Sequence, residues 1–401
     1  MERTNILQRP NGKMHGRSKK DLKYISQDLV NVSFKQQTCN RGICKFPSIP
    51  YKFLCYTGLV EPSDQYFSYK IAKFFIILMF IFRFIFTWGS HIRRGYVRDF
   101  KAKFAKVTNF IMPVIIFYAM LRKRKLLTTT LSNLNGMPPY GKKINLFALL
   151  LCCMPFIYTV WVTVTCNQEE VAKHAVFGYD VESVPVQILL VSTKHFLSAI
   201  LNSAFLNFVA LVFCILCQRC CSLIEMLTQE IQRVPPETFG ISRQIEAIRQ
   251  KARIEYILEN IQEIFSLPSF FIVIQNFLSC SEVIGFYLYT SSSTKKYAFR
   301  TLAQSFFYTL NSLGCLVLMI WVVGGVPIHI RKVKEAFRKK KRLRLIYACA
   351  REETPLHAEY FENSDFVFTG CDLISFRRSL ILTIFGTLLT YAALLINWVR
   401  K

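Results

Sequence analysis

The chain has 401 residues, of which 52% are hydrophobic and 14% aromatic, and it carries a formal net charge of +26. Its apolar runs of about 20 residues are too many for a soluble domain, since each is long enough to cross a bilayer. The basic residues lie mainly between these runs, and the sequence contains no zinc-finger, RNP-type or basic-zipper pattern. Composition therefore favours a membrane protein over a nucleic-acid-binding one.

The first 70 residues are polar and basic and lack the apolar centre of a secretory signal peptide, so targeting is expected to fall to the first span. The runs that follow predict an all-α polytopic membrane protein with seven transmembrane helices. The predicted spans are 71–90, 105–121, 144–165, 186–217, 264–290, 303–326 and 379–398. The second is the weakest and contains Pro113, whereas the fourth is long enough to tilt or to project beyond the bilayer.

Residues 218–263 are predicted to form a cytoplasmic helical extension between the fourth and fifth spans. Pro235 and Pro236 divide it, because proline interrupts a helix and restrains the residue before it. From Ile241 onward, apolar residues recur at helical spacing, and charged residues such as Glu255 occupy the other face. Anionic lipid would repel these carboxylates, so the amphipathic helix is expected to pack against protein.

Residues 331–378 are predicted as a cytoplasmic basic loop and anchor segment. The most basic part, 331–345, directly follows the sixth span and is typical of a stop-transfer and orientation signal. Of the 51 Lys and Arg, 36 fall in segments predicted as inner, 12 in outer segments (with Lys106, at the edge of the second span, counted in the first outer loop) and three within spans. The bias predicts a cytoplasmic N-terminal region (1–70) and an outer C-terminus, with the Arg-rich first outer loop as a local exception.

The 14 cysteines lie mostly in spans or in predicted cytoplasmic loops, where they are expected to stay reduced. Cys217, Cys220 and Cys221 have half the spacing of a zinc site. No second pair and no nearby His completes that site, so neither a metal nor another cofactor is expected.

The last span carries a motif of a known family. Thr390 and Tyr391 are followed by five apolar residues and then by Asn397 and Trp398. This resembles the signature of insect gustatory receptors, which is Thr-Tyr, five hydrophobic residues and Gln-Phe. Asn397 stands in the place of Gln, and Trp398 in the place of Phe. Both substitutions keep the chemical type, an amide and an aromatic ring.

Three further elements add to the resemblance. Thr369-Gly370 and Gly386 resemble the family's approach to the motif. The segment 58–62, Gly-Leu-Val-Glu-Pro, looks like the Gly-Leu-x-x-Pro element that many members carry before the first span.

The resemblance implies a chemosensory receptor, related to the insect odorant receptors, that forms a tetramer around a central pore. Such a receptor is a ligand-gated, non-selective cation channel in the cell membrane of gustatory sensory neurons. The last span, 379–401, would line the pore, and the region 71–330 would hold the first six helices and the ligand pocket. The implied partners are a small-molecule tastant, permeating cations, the lipid bilayer and related subunits in a homo- or heterotetramer. Neither an enzymatic activity nor a nucleic-acid partner is expected.

Small and polar residues in the last span recur at steps of three or four and form one weakly polar stripe, which suits a pore lining or a close packing face. The resemblance favours the pore. Asn397 would offer amide oxygens to a partly hydrated cation, and Ala393 or Leu394 could close the pore by dewetting. Tyr391 is expected to pack against a neighbouring helix. The predicted pore and gate residues are Thr390, Tyr391, Ala393, Leu394 and Asn397.

Polar and aromatic residues in the outer halves of the spans are candidate ligand contacts, because aromatic walls with a few polar groups suit a small organic molecule. The predicted contacts are Trp161, His195, Glu282, Gln304 and Tyr308. Each could instead bond to a neighbouring helix or reach water, and Glu282 could pair with Lys194. Arg83, within the first span, needs a partner that the sequence does not identify.

Two other classes of function are weighed against the channel. A G-protein-coupled receptor should have an outer N-terminus and an Asp/Glu-Arg-Tyr element after its third span, and the sequence has neither feature. A secondary transporter of a small organic molecule should have internal repeats with broken helices at matching positions. No such repeats are visible.

Overall fold

Helices make up most of the chain that the structure describes. The structure is a computed structural model that describes residues 46–60, 71, 74–85, 100–134, 142–165, 181–290, 295–348 and 366–399. Its helices are α1 (Ser48–Tyr56), α2 (Phe74–Ile85), α3 (Phe100–Arg122), α4 (Arg124–Asn133), α5 (Lys142–Thr165), α6 (Val184–Ala199), α7 (Phe205–Arg233), α8 (Ile241–Thr290), α9 (Lys295–Val323), α10 (Val326–Ala348) and α11 (Ser379–Val399). Before α11, the strands β1 (Thr369–Gly370) and β2 (Ile374–Ser375) pair in antiparallel fashion.

Several of these helices can cross a membrane. Five helical stretches are long and apolar enough: Lys143–Thr165, Val184–Arg233, Ile241–Gly285, Phe306–Tyr347 and Ser379–Asn397. Shorter apolar helices, Phe74–Ile85 and Phe110–Arg122, coincide with the first two predicted spans, although residues 86–90 of the first lie outside the described part. The predicted class, an all-α polytopic membrane protein, is confirmed. The count of seven spans and the sidedness of the termini remain predictions.

The fourth predicted span belongs to a longer helical rod at the centre of the chain. α6 continues through a π-helical turn, Ile200–Ala204, directly into α7. Every residue from Phe205 to Cys217 is buried. A helix that is apolar all round must be covered by lipid or by other helices. Accordingly, α5, α8, α9 and α10 all pack against α7.

The cytoplasmic extension predicted at 218–263 consists of the end of α7 and the beginning of α8. The break lies at Pro235 and Pro236, where the chain forms a 3-10 turn, Pro236–Thr238, before α8 begins. α8 then runs for 50 residues and includes Pro268. At 1.5 Å per residue its length is about 75 Å, so the same helix forms the second part of the predicted extension and the fifth predicted span.

Residues 331–345, predicted as part of a basic loop, are helical instead and belong to α10. Ile330, Val333 and Phe337 recur at helical spacing on this helix and are buried, while α10 packs against α7. Arg344 donates a hydrogen bond to a carbonyl in the turn before α8. The run of basic charge is therefore mainly the solvated face of an amphipathic helix.

The Gly-Leu element noted in the sequence ends α1. Gly58 has a φ of 75°. Its N–H donates to the carbonyl of Cys55 (3.1 Å), and the Leu59 N–H donates to the carbonyl of Leu54 (2.9 Å). These are the two bonds of a Schellman motif, which favours glycine because glycine adopts the left-handed conformation without strain. Leu54 and Leu59 are fully buried, so the motif fixes this segment to the core.

Candidate functional site

α11 contacts the rest of the chain along one narrow ridge. Ile384 and Leu388 are buried, and Ile381, Ala392 and Leu395 are partly buried. At 100° per residue these five lie on one face of the helix, which packs against α8 and α9. The remaining faces of an apolar helix are therefore left uncovered by the chain itself.

The weakly polar stripe predicted from the sequence lies on the face opposite this ridge. Its members are all exposed: Thr383, Gly386, Thr387, Thr390, Ala393, Leu394 and Asn397. The hydroxyl of Thr387 donates to the carbonyl of Thr383 (2.8 Å), and that of Thr390 to the carbonyl of Gly386 (2.9 Å). Because these hydroxyls bond to their own helix, they present little free polarity. Asn397 is the amide on this face.

Of the five predicted pore and gate residues, four share this exposed face, and Tyr391 lies to one side of it. Tyr391 is 37% exposed, and its hydroxyl lies close to Gly285 of α8. The structure thus brings together Thr390, Ala393, Leu394 and Asn397, and it directs Tyr391 towards a neighbouring helix.

A hairpin formed by residues 366–376 fastens the start of α11 to α8. The Gln262 amide donates to the carbonyl and to the hydroxyl of Thr369, both at 2.8 Å, and accepts from the Thr369 N–H at 3.0 Å. The Cys371 N–H donates to the Ser266 hydroxyl at 3.0 Å. Gly370 packs so closely on Phe270 that a Cβ would lie 3.2 Å from it. We call this connection the hairpin clip.

The hairpin clip is also anchored by aromatic rings and by a strained turn. Phe368 and Phe376 are fully buried, and both contact Phe213 of α7 edge to face, with ring centroids 5.4 and 6.2 Å away. Cys371 and Asp372 have left-handed φ values of 51° and 58°. Burial raises the pKa of the Cys371 thiol, with Asp372 acting in the same direction, so the thiol is protonated at neutral pH.

An aromatic cluster forms where α5, α6 and α9 meet. Tyr158 is buried, and its ring lies 5.2 Å from those of both Phe307 and Tyr308 and 6.4 Å from that of His195. The Tyr158 and Tyr308 side chains are hydrogen-bonded. The cluster therefore combines flat apolar walls with hydroxyl and imidazole groups, the composition expected of a site for a small organic molecule.

The predicted ligand residues separate into two groups. His195 and Tyr308 meet in the aromatic cluster. Trp161 is 48% exposed on the outside of α5, and Glu282 is exposed on α8. Gln304 belongs to α9, but its side chain lies outside the described part of the structure. Tyr158 and Phe307 complete the cluster and are absent from the predicted set.

A cavity of about 190 Å³ lies beside the aromatic cluster, between α5, α7 and α9. Its lining is apolar except for Asn207 and Asn311, and Phe307 belongs to both the cavity and the cluster. Asn207 donates to Asn311 (2.8 Å), which donates to the Ser203 hydroxyl (2.8 Å) in the π-helical turn. π-Helical turns occur frequently at functional sites. Asn207 was not predicted, although a lone amide in an apolar run is a recognisable signal.

Arg83 of α2 is buried, with 7% of its surface exposed. Its Nε and Nη1 atoms are buried, and neither has a hydrogen-bond partner among the described residues. An arginine at the centre of a spanning helix costs about 2.5–3.5 kcal/mol on insertion scales, so such a residue usually has a function.

The described residues contain no group of three or more His, Cys, Asp or Glu side chains that could hold a metal ion. In that part of the chain the polar groups that converge within the helices are amides, hydroxyls, an imidazole and a guanidinium. These groups suit the binding of an organic molecule through hydrogen bonds.

This arrangement of helices occurs in solved structures of an insect receptor. The olfactory receptor OR5 from Machilis hrabei matches with a TM-score of 0.62 at 13% sequence identity, over 87% of this chain and 96% of the receptor. The chain has the insect olfactory receptor fold. The same receptor in complex with eugenol matches with a TM-score of 0.55 at 11% identity, with the same coverage. No family model matches the sequence, and no curated protein is significantly similar to it.

The fold that the sequence resemblance implies, that of the insect odorant receptors, is thus confirmed. Within the described part of the chain, the exposed face of α11 and the aromatic cluster are the candidate sites considered below.

Proposed function

We propose that the chain is a chemosensory receptor of the gustatory type and acts as a ligand-gated, non-selective cation channel. The observation that carries the proposal is the one-sided packing of α11. This apolar helix contacts its own subunit along one ridge and leaves the opposite face exposed. Within a membrane an uncovered face can meet lipid, another subunit or water. The olfactory receptor fold and the Thr-Tyr motif favour the last two.

In this proposal four subunits place their α11 helices around a common axis. The stripe that contains Thr390, Ala393, Leu394 and Asn397 faces the axis, and flanking residues such as Leu382 and Leu389, which are 76% and 70% exposed, meet the neighbouring subunits. A ring of Asn397 amides would coordinate a partly hydrated cation without fixing its charge. A ring of Leu394 would close the pore by excluding water.

The proposed ligand site is the aromatic cluster together with the adjoining cavity. Leu150 and Leu310, which line the cavity, are 51% and 61% exposed, so the cavity opens on the surface of the subunit. An apolar ligand could enter from the lipid and place one polar group near the cluster. The complex of Machilis hrabei OR5 with eugenol supports a small organic ligand for a chain of this fold.

The proposed setting is the cell membrane of gustatory sensory neurons, where this chain would assemble with itself or with related subunits. The ligand would be a tastant, and the permeating species would be monovalent and divalent cations. Binding in the aromatic cluster would bias an equilibrium between closed and open arrangements of α11 only to the extent that the ligand binds one arrangement more tightly.

The test is a recording of currents from cells that express this chain, alone and with related subunits, against sugars, bitter compounds and amines. A tastant-evoked cation current that persists with a non-hydrolysable GDP analogue in the pipette is expected. Cells with equal surface levels of Asn397→Lys serve as the matched control and should carry little current. Currents abolished by the GDP analogue, or none from surface-expressed protein under any pairing, would refute the channel.

A further inference from the structure

The cavity beside the aromatic cluster is a groove between α5 and α9 with α7 at its floor. Its lining residues come from the segments 147–154 of α5, 207–214 of α7 and 307–319 of α9. The segments of α5 and α9 lie within Lys143–Thr165 and Phe306–Tyr347, two stretches long and apolar enough to cross a membrane. The opening therefore lies at the level of the bilayer, where a ligand that dissolves in lipid can reach it.

The amide of Asn207, at the floor of this groove, has hydrogen-bonding capacity that the described residues do not use. An amide has two N–H donors and an oxygen with two lone pairs. Asn207 donates one N–H to Asn311 at 2.8 Å, and Asn311 donates to the Ser203 hydroxyl at 2.8 Å. Asn207 lines the cavity and keeps 8% of its surface accessible. At least one N–H and one oxygen lone pair therefore remain for a ligand.

A hydroxyl group matches what Asn207 leaves unpaired. It donates through its O–H and accepts through its lone pairs, so it pairs with the oxygen and the N–H of an amide. A hydrocarbon would leave both groups unpaired. An ionised group would find no counter-charge, because none of the described lining residues is charged. A sugar would bring many hydroxyls into an apolar lining, and most of them would lose their hydrogen bonds to water.

The volume of the cavity limits the ligand to about one ring. An apolar cavity of about 150 Å³ holds benzene, and this cavity, at about 190 Å³, is slightly larger. Gly314 of α9 contributes to the space, because it lines the cavity and a Cβ added there would meet no atom within 4 Å. A larger residue at this position would occupy room that the ring needs.

We propose that the cavity binds neutral alcohols of about one ring, such as benzyl alcohol, with the hydroxyl on the Asn207 amide and the ring beside Gly314. Asn207 sets the preference for a hydroxyl, and Gly314 sets the limit of size. The assignment rests on the ligand site proposed above and excludes sugars and protonated amines from this cavity. It does not require that binding opens a pore.

The experiment measures binding to the purified full-length chain in detergent, with no current involved. Specific binding of radiolabelled benzyl alcohol is the part that excess unlabelled compound displaces, and competition then gives the affinity of toluene, which lacks only the hydroxyl group. The ratio of the two dissociation constants is compared between variants, so that the different partition of the two compounds into detergent cancels. Glucose and phenethylamine are expected not to compete.

The variant Asn207→Leu tests the hydroxyl preference. The ratio should shift by at least ~10-fold in favour of toluene, which corresponds to about 1.4 kcal/mol, because the hydroxyl loses its partner and toluene does not. Gln250→Leu replaces an amide of α8 that does not line the cavity, so it is the matched control and should bind like the unmodified chain.

The variant Gly314→Val tests the place of binding and leaves Asn207 intact, so it decides the matter even if Asn207→Leu does not fold. It should weaken benzyl alcohol and toluene alike, by at least ~10-fold, because its methyl groups fill the cavity. Gly314→Ala should have a smaller effect in the same direction. Gly285→Ala, at a glycine of α8 where a Cβ would make only ordinary contacts, is its control and should bind normally.

The proposal is overturned if the unmodified chain shows no displaceable binding of benzyl alcohol or if glucose or phenethylamine competes for it. It is also overturned by an unchanged ratio in folded Asn207→Leu or by undiminished binding in Gly314→Val. Selective binding without tastant-evoked current would refute the channel and leave this assignment standing. Tastant-evoked currents that are the same in Gly314→Val, with no displaceable benzyl alcohol, would do the reverse.

Discussion

Replacing Gln262 with Leu should detach the hairpin clip without changing the volume of the side chain much. The Gln262 amide makes three hydrogen bonds with Thr369, at 2.8, 2.8 and 3.0 Å. A hydrogen bond of this kind contributes about 1 kcal/mol net, so the expected loss of stability is about 2–3 kcal/mol. With about 2.1 cal/mol/K of unfolding entropy per residue, a chain of this size should melt about 2–4 °C lower.

The assay is thermal unfolding of the detergent-solubilised chain at one fixed scan rate, combined with hydrogen exchange over the segment 366–376. Gln250→Leu on the same helix is the matched control, because the Gln250 amide makes a single long bond of 3.4 Å to Glu246. Exchange in the clip should rise in Gln262→Leu and stay unchanged in α7. A melting temperature equal to that of Gln250→Leu, with no added exchange at 366–376, would refute the role given to Gln262.

Three further predictions concern the pore, the packing of glycines and the topology. Asn397→Asp should raise the permeability to divalent cations or cause them to block the pore, and Asn397→Lys should sharply reduce the cation current. The reason is that each charge is repeated around the axis. Unchanged reversal potentials in both surface-expressed variants would exclude Asn397 from the pore. Gly370→Ala should lose about 1–3 kcal/mol of stability, because the added methyl group crowds Phe270. Gly386→Ala is the control and should lose none, because a Cβ at Gly386 meets open space. Equal melting temperatures of the two variants would contradict this packing. An epitope before Met1 should need permeabilisation for antibody access and one after Lys401 should not; the opposite pattern would refute the predicted sidedness.

The membrane helices could be predicted from the sequence because their signal is local. An apolar run such as 205–217 can be recognised in the sequence whether the helix faces lipid or protein. The break at Pro235 is equally local, since proline removes a donor and restrains its neighbour. In α10 the many basic residues suggest a loop, but the segment is helical. The helical spacing of Ile330, Val333 and Phe337 was nevertheless present in the sequence and carries the correct structure.

The ligand residues were harder to predict, because lipid and protein interior are both apolar. Trp161 and Tyr158 lie three residues apart on one helix, yet Trp161 is 48% exposed and Tyr158 only 3%. Nothing in the local pattern of α5 distinguishes the face that meets lipid from the face that meets α9. That His195 and Tyr308 both lie beside Tyr158 depends on how three helices pack, and that is a property of the tertiary structure.

Because α8 is long, a small change of its tilt can move its far end by several ångströms. The helix is stiff except near Pro268, which cannot donate the hydrogen bond that the Ile264 carbonyl would otherwise accept. Ser266 and Phe270, which the hairpin clip grips, lie on either side of that weak point. A tilt of roughly 5° in the part of α8 beyond Pro268 would move its far end by about 3 Å. Because the hairpin clip attaches beside this hinge, a tilt would displace the start of α11 very little and would reach it mainly as a rotation.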